Sequence, residues 1–294
     1  MSNRTPEAPV LVRAPSSAEA VPGVYDSPHS GRNYPPDFIP AVPVEQLRGH
    51  EDRLVDDLIG DAPDHGILLL AATFPRAYVD PNRAIDDLDP QVVGDDWIDP
   101  LKPTAYSQLG LGLVFRNGLD SNPIYERPLG RASVMNRIDN YWRPYHEALE
   151  AALRQAQERW GAVWHIAWHS MRPVGDSQSP DPGEARPDFV VSDLDGTSAQ
   201  PDFTGFAVDT LRGLGHSVAV NEPFKGGYIT QCHGRPEEGR HSIQIEINRA
   251  LYLNLETLDL EPGAAALKRD LARFSRKFAD FAAERSRTVI PAES

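Results

Sequence analysis

Apolar positions along the chain recur at two spacings, and each spacing predicts its own kind of element. Across residues 145–160, Leu149, Leu153, Ala156 and Trp160 stand three to four apart, the stripe of a helix packed on one face. The same spacing predicts a helix over 206–214, closed by Gly215, and a long final helix from Pro262 carrying Leu267, Leu271, Phe274, Phe278 and Phe281. Leu54, Val55, Leu58 and Ile59 predict a short amphipathic helix over 50–60, with Glu51, Asp52, Asp56 and Asp57 distributed around it. Continuous apolar runs of strand length lie at 67–72, 77–79, 111–115 and 163–168, the last ending at His169. Another strand is expected over 216–220, ending at Asn221. Residues 242–247 alternate, with Ile243, Ile245 and Ile247 on one face and Gln244 and Glu246 on the other. Val24 and Tyr25 form a short extended entry to a turn-forming cluster that presents His29. Strands alternating with helices imply an α/β fold: a mixed, mainly parallel sheet flanked by helices on both faces.

Where these patterns lapse, composition carries the reading. Residues 1–22 are rich in Pro, Ala, Ser and Glu and bury too little to offset their ordering entropy, so a flexible tail is expected there. Residues 84–108 are rich in Asp and Pro and predict a long loop. A chain of 294 residues allows two domains or one large α/β domain, and its 40% apolar content supports a sizeable core. The net charge of 29 − 43 = −14, without a basic patch, argues against a nucleic-acid partner. No apolar run approaches the roughly 18–20 residues that span a bilayer, and no signal pattern opens the chain. A soluble, cytoplasmic protein without a membrane partner is expected. Cys232 is the single cysteine, which excludes an intrachain disulfide and a cysteine-cluster metal site. Any metal would be held by His, Asp and Glu.

Polar groups recur where the predicted strands end: His29, Asp80 to Arg83, His169 with Ser170, Asn221 and Glu246. In open α/β sheets ligands collect beyond the strand carboxyl ends, so these placements suggest one site. The chain lacks a G-x-S-x-G elbow, a P-loop, a G-x-G-x-x-G turn after a strand and an H-E-x-x-H helix. These absences leave open a zinc site built from distant loops, with two imidazoles and one carboxylate leaving a position for water. Taken singly, Asp52 also reads as a solvated first-turn helix residue, Arg83 as a partner of Asp80 or Asp86, and Asn221 as a strand cap.

Six motifs in order resemble the N-formylglutamate amidohydrolase family. They are Ser27-Pro28-His29-Ser30-Gly31, the run from Phe74 to Arg83, Tyr141-Trp142-Arg143-Pro144-Tyr145-His146, His169-Ser170-Met171-Arg172, the run from Asn221 to Thr230, and Gln244-Ile245-Glu246-Ile247-Asn248-Arg249. The resemblance runs from about Val24 to about Tyr252. It implies a single catalytic domain over 23–294 with the zinc-carboxypeptidase-like α/β fold, hydrolysing the N-acyl amide bond of an N-acyl amino acid, with N-formyl-L-glutamate leading. It further implies zinc held by His29, Asp52 and His169, with Glu51 the alternative to Asp52, and Glu246 as general base. Asn82 and Arg83 match a substrate-carboxylate clamp, with Arg76 and Asn221 as further substrate contacts. Two positions depart from the pattern: Arg32 stands where peptidase relatives place a glutamate ligand, and Ala167-Trp168 precede His169 where many members have an aspartate. Another N-acyl amino acid or a short peptide as substrate, or a non-catalytic metal or carboxylate binder, are the alternatives.

Overall fold

A computed structural model describes residues 8–16, 19–118 and 121–289. The strands are β1 (Val10–Arg13), β2 (Gly23–Ser27), β3 (Leu68–Ala72), β4 (Val163–Met171), β5 (Phe189–Ser192), β6 (Val218–Val220) and β7 (Arg240–Asn248). They form one sheet in the order β1-β3-β2-β4-β7-β5-β6. β4 runs parallel to both β2 and β7, and β5 runs parallel to β6 but antiparallel to β7, so the sheet is mixed and mainly parallel. The helices are α1 (Val44–Leu47), α2 (Val55–Leu58), α3 (Ala105–Gln108), α4 (Arg131–Arg137), α5 (Arg143–Trp160), α6 (Pro201–Gly213), α7 (Tyr228–His233) and α8 (Ala264–Val289). A π turn, Ile138–Trp142, joins α4 to α5. No helix among the described residues is long and apolar enough to cross a membrane.

The chain divides into two compact units. One comprises Val12–Ser27, Leu54–Leu70 and the chain from Leu149 onward. Its core is built on the period of two: Tyr25 of β2, Trp164, Ile166 and Trp168 of β4, and Ile243, Ile245 and Ile247 of β7 bury together with Phe203 and Leu211 of α6 and Leu271, Phe274 and Phe278 of α8. The Tyr25 ring meets Trp168 edge-on at 5.4 Å and Phe278 at 5.2 Å. The alternate positions of the same strands include polar side chains that are also buried: Asp26, His165, His169, Ser242, Gln244 and Glu246. Burial of such groups is tolerable only with hydrogen-bond partners. His165 bridges two of them, Nε2 to Asp26 Oδ1 and Nδ1 to Ser242 Oγ, both at 2.9 Å.

The other unit comprises the chain up to Leu11, Pro28–Arg53 and Ala71–Ala148. It has little regular structure and buries Phe38, Phe74, Tyr78, Leu113, Val114, Phe115, Ile124 and Val134 within loops and short helices. Gly31 is required here, because a Cβ at that position would collide with the Phe74 carbonyl.

Several expected elements differ. β1 lies inside the segment read as a tail, at one edge of the sheet; residues 1–7, 17 and 18 of that segment lie outside the described residues. The helix expected over 50–60 is a 3-10 turn, Arg48–His50, then extended Glu51, then α2 after Leu54 at φ 64°. Asp52 donates its backbone N–H to the His29 carbonyl (2.9 Å), which takes it out of any helical ladder. Residues 75–78 form a turn closed by Tyr78 N–H to the Pro75 carbonyl, so 77–79 is no strand, and 111–115 fold back so that Leu111 and Phe115 bridge each other. Both runs are apolar because they fill the loop-built interior, not because they join a sheet. The long loop over 84–108 is broken only by the single turn α3, and His169 lies within β4 rather than just beyond it.

Candidate active site

His29 follows β2 by two residues on the Pro28–Gly31 turn and is 1% exposed. Its Nε2 lies 2.7 Å from Asp80 Oδ1, and its Nδ1 lies 3.3 Å from Asp52 Oδ2. Two carboxylates on one imidazole are distinguishable by distance. The short contact to Asp80 is a hydrogen bond donated by Nε2, since a carboxylate only accepts, while Nδ1 faces Asp52 at longer range. Ser30 Oγ donates to the Asp52 carbonyl (3.1 Å), which together with the Asp52 N–H to His29 carbonyl bond ties the two segments at both ends.

Asp80 is fully buried and accepts from Arg76 Nε (3.0 Å), Arg76 Nη2 (2.7 Å) and the Asn82 backbone N–H (2.7 Å). Burial alone would raise its pKa. Arg76, followed by His29 and Arg83, outweighs burial and holds the carboxyl well below the usual carboxylate range. The aspartate is therefore a permanent acceptor for the His29 N–H, a role that sequence reasoning did not assign. The signal was present in the Asp80-Pro81-Asn82-Arg83 run, but only the fold reveals which ring atom it meets.

His169 and Glu246 are paired residues of the parallel neighbours β4 and β7, so they project from the same face of the sheet at the same level. Both are buried. Gln244, two residues earlier on that face, donates Nε2 to Glu246 Oε1 (2.9 Å). His29 and Asp52, both buried, bring an imidazole and a carboxylate together in one unit, and His169 is a buried imidazole of the other. Imidazoles and carboxylates are donors suited to a divalent metal, and the Asp80 bond to the far nitrogen of His29 has the form of the outer carboxylate that orients a metal-ligating histidine. Each of the three side chains carries an atom that can ligate a metal.

Glu51 is excluded from that group by the extended backbone, which alternates it away from Asp52. Its carboxylate accepts from Tyr34 Oη (2.8 Å) and meets Arg53 Nη1 (3.5 Å), and burial raises its pKa against the effects of Tyr34 and the arginines 53, 48 and 32. Arg83 donates Nε to the Leu111 carbonyl (3.1 Å) and Nη1 to the Asn82 carbonyl (3.0 Å), and its guanidinium lies 4.6 Å from the Tyr106 ring. Its nearest carboxylate partner is Asp87 at 3.9 Å, not Asp80 or Asp86; Asp87 is itself occupied by the Thr104 N–H (2.8 Å) and hydroxyl (3.1 Å). Asn221, beyond the edge strand β6, has both amide atoms on Asp193: Nδ2 donates to its Oδ1 (2.8 Å), and Oδ1 accepts from its N–H (3.0 Å). The structure thus gathers His29, Asp52, Asp80, Arg76, Asn82 and Arg83 in one loop cluster and His169 with Glu246 on one sheet face, while Asn221 clasps the ends of β5 and β6.

Residues 21–253 match the family model described as N-formylglutamate amidohydrolase. The chain is 28% identical over 264 residues to an N-formylglutamate deformylase of Pseudomonas aeruginosa, covering 87% of this chain and 89% of that one. It is 27% identical over 245 residues to an N-formylglutamate deformylase of Pseudomonas putida, covering 79% and 82%. A crystal structure of an N-formylglutamate amidohydrolase from Ralstonia eutropha JMP134 superposes with a TM-score of 0.89 at 42% identity, covering 95% of this chain and 100% of that one.

Proposed function

The chain belongs to the N-formylglutamate amidohydrolase family, and from that premise we propose that it hydrolyses the formyl amide of N-formyl-L-glutamate to formate and L-glutamate, with zinc held by His29, Asp52 and His169. The observation that carries the proposal is the buried His169 paired in register with Glu246, with His29 and Asp52 buried side by side in the other unit. Zinc, when bound, supplies Lewis acidity: it polarises a carbonyl oxygen and renders water acidic near neutral pH. Glu246 takes the proton from the attacking water and returns it to the departing amine nitrogen, so one carboxylate serves as base and then as acid. Gln244 holds Oε1 of Glu246 by its amide N–H, which orients the other oxygen for that work. Asp80 fixes the His29 ring. Arg83, held by two carbonyls and a ring, offers the rest of its guanidinium to a substrate carboxylate, with Asn82 beside it. Arg76 serves the substrate only at one remove in this scheme, since two of its N–H groups are committed to Asp80. Asn221 is left out of the contacts because Asp193 occupies its amide.

One family model spans parts of both compact units, which supports treating 23–294 as a single catalytic domain. The same reading places the enzyme in the cytoplasm, where its single cysteine stays reduced. A catalytic glutamate at the level of His169 has no purpose in a non-catalytic binder, which favours the enzyme. Glu246→Gln keeps the side-chain shape but cannot accept the proton, so formate release should fall by roughly 10²- to 10⁴-fold while metal stoichiometry is unchanged. A fully active Gln variant would move the base elsewhere.

A further inference from the structure

The helical segment that runs from α4 through the π turn into α5 reaches one loop at three backbone carbonyls. Arg137 Nη1 donates to the Tyr78 carbonyl (2.9 Å), His146 Nε2 to the Pro81 carbonyl (2.8 Å) and Trp142 Nε1 to the Arg83 carbonyl (2.9 Å). A carbonyl only accepts, so Nε2 of His146 carries its proton. Two of the carbonyls flank Asp80, and the third is that of Arg83 itself.

That reach depends on the π turn. In a regular α-helix, residues five apart such as Arg137 and Trp142 would point about 140° away from each other. The Arg143 N–H bonds instead to the Ile138 carbonyl, five residues back, and the wider turn swings Trp142 toward the face that carries Arg137. The cause is in the sequence: Pro144 has no N–H to give, and its ring would clash with the Asn140 carbonyl in a regular helix. Arg137 itself is 1% exposed, and a buried cation is costly unless compensated. Its guanidinium faces the rings of Tyr78 at 4.3 Å, Tyr125 at 5.3 Å and Phe38 at 5.6 Å and also bonds the Tyr125 hydroxyl (2.7 Å). The charge is spent on holding Tyr78 by ring and carbonyl alike.

We propose that Arg137, Trp142 and His146 form a clamp of positioning residues that sets the 78–83 loop so that Arg83 meets the substrate carboxylate. The proposal rests on the reading of Arg83 given above. Each arm is a single neutral or cationic donor on a carbonyl, so removing one loosens the loop without removing any group that touches substrate.

The test compares formate release from N-formyl-L-glutamate with that from the same compound carrying both carboxylates amidated. Trp142→Phe deletes one N–H and keeps the ring packing. It should raise KM on the dicarboxylate roughly 2- to 12-fold, the value of one hydrogen bond, with little effect on the diamide and no further effect in an Arg83→Ala background. His146→Phe should act in the same direction and His146→Gln, which restores a donor, should recover most of the loss. Equal losses on both substrates, a loss that persists in the Arg83→Ala background, or no rescue by Gln would overturn the clamp. If Arg83→Ala abolishes the preference for the dicarboxylate but Trp142→Phe and His146→Phe leave it intact, the clamp alone fails. If Arg83→Ala itself leaves the preference intact, the substrate reading fails and the clamp falls with it.

Discussion

His29 illustrates how much of a site depends on an atom and not only on a residue. Its imidazole lies between Asp52 and Asp80, and the 2.7 Å contact to Asp80 commits Nε2 as a donor while Nδ1 faces Asp52 at 3.3 Å. Because Arg76 and His29 hold Asp80 ionised against its burial, the bond is charge-assisted throughout the neutral range. Asp80→Asn should therefore weaken metal affinity by about 10- to 100-fold, read by competition with a chelating dye. Undiminished affinity would show that His29 needs no such partner. His29, His169 and Glu246 could be singled out in the sequence because their motifs stand in order, and Asp52 only through the family resemblance. The contribution of Asp80 could not, since an aspartate ahead of an Asn-Arg pair looks the same whether it pairs with Arg83 or reaches a histidine 51 residues away.

Elements were legible where one period meets one continuous core. β4, β7 and α8 follow their predicted spans because the isoleucines of β7 and the Phe274 and Phe278 stripe of α8 bury against the same sheet face. Apolar runs at 77–79 and 111–115 misled because hydrophobicity reports burial, and loops can bury side chains without a ladder. α4 escaped notice because its key inward residue is Arg137, which carries no apolar signal. On the polar side of the sheet, α5 is tied to β7 and α7 through Glu150, which accepts from Arg240 Nη1 with both oxygens at 2.9 Å and meets His233 Nδ1 at 3.3 Å. The His233 bond, working against partial burial and joined by Arg240, holds the Glu150 carboxyl down to about 2. An unfolded glutamate titrates near roughly 4.3, so this tie stabilises the fold fully above that pH and is lost as pH falls toward the folded value. Glu150→Gln should flatten the decline of Tm across that acid window, and a decline as steep as in the parent protein would show that other carboxylates govern it.

At the scale of the whole molecule, a net charge of −14 disfavours a dianionic substrate, so recognition must come from cations placed close to it. Arg83, held by two carbonyls and the Tyr106 ring, is the cation we propose for that task, with His29, Asp52 and His169 proposed as the metal ligands. Family membership and the likeness to a solved N-formylglutamate amidohydrolase over 95% of the chain point the same way. The most direct test is formate release from N-formyl-L-glutamate by the purified protein, measured as isolated, after complete metal removal and after addition of one zinc equivalent per chain. The account predicts equimolar formate and L-glutamate, loss of turnover on metal removal and its return with zinc. Turnover that survives complete metal removal, or a zinc-loaded protein that releases no formate from this substrate, would contradict it.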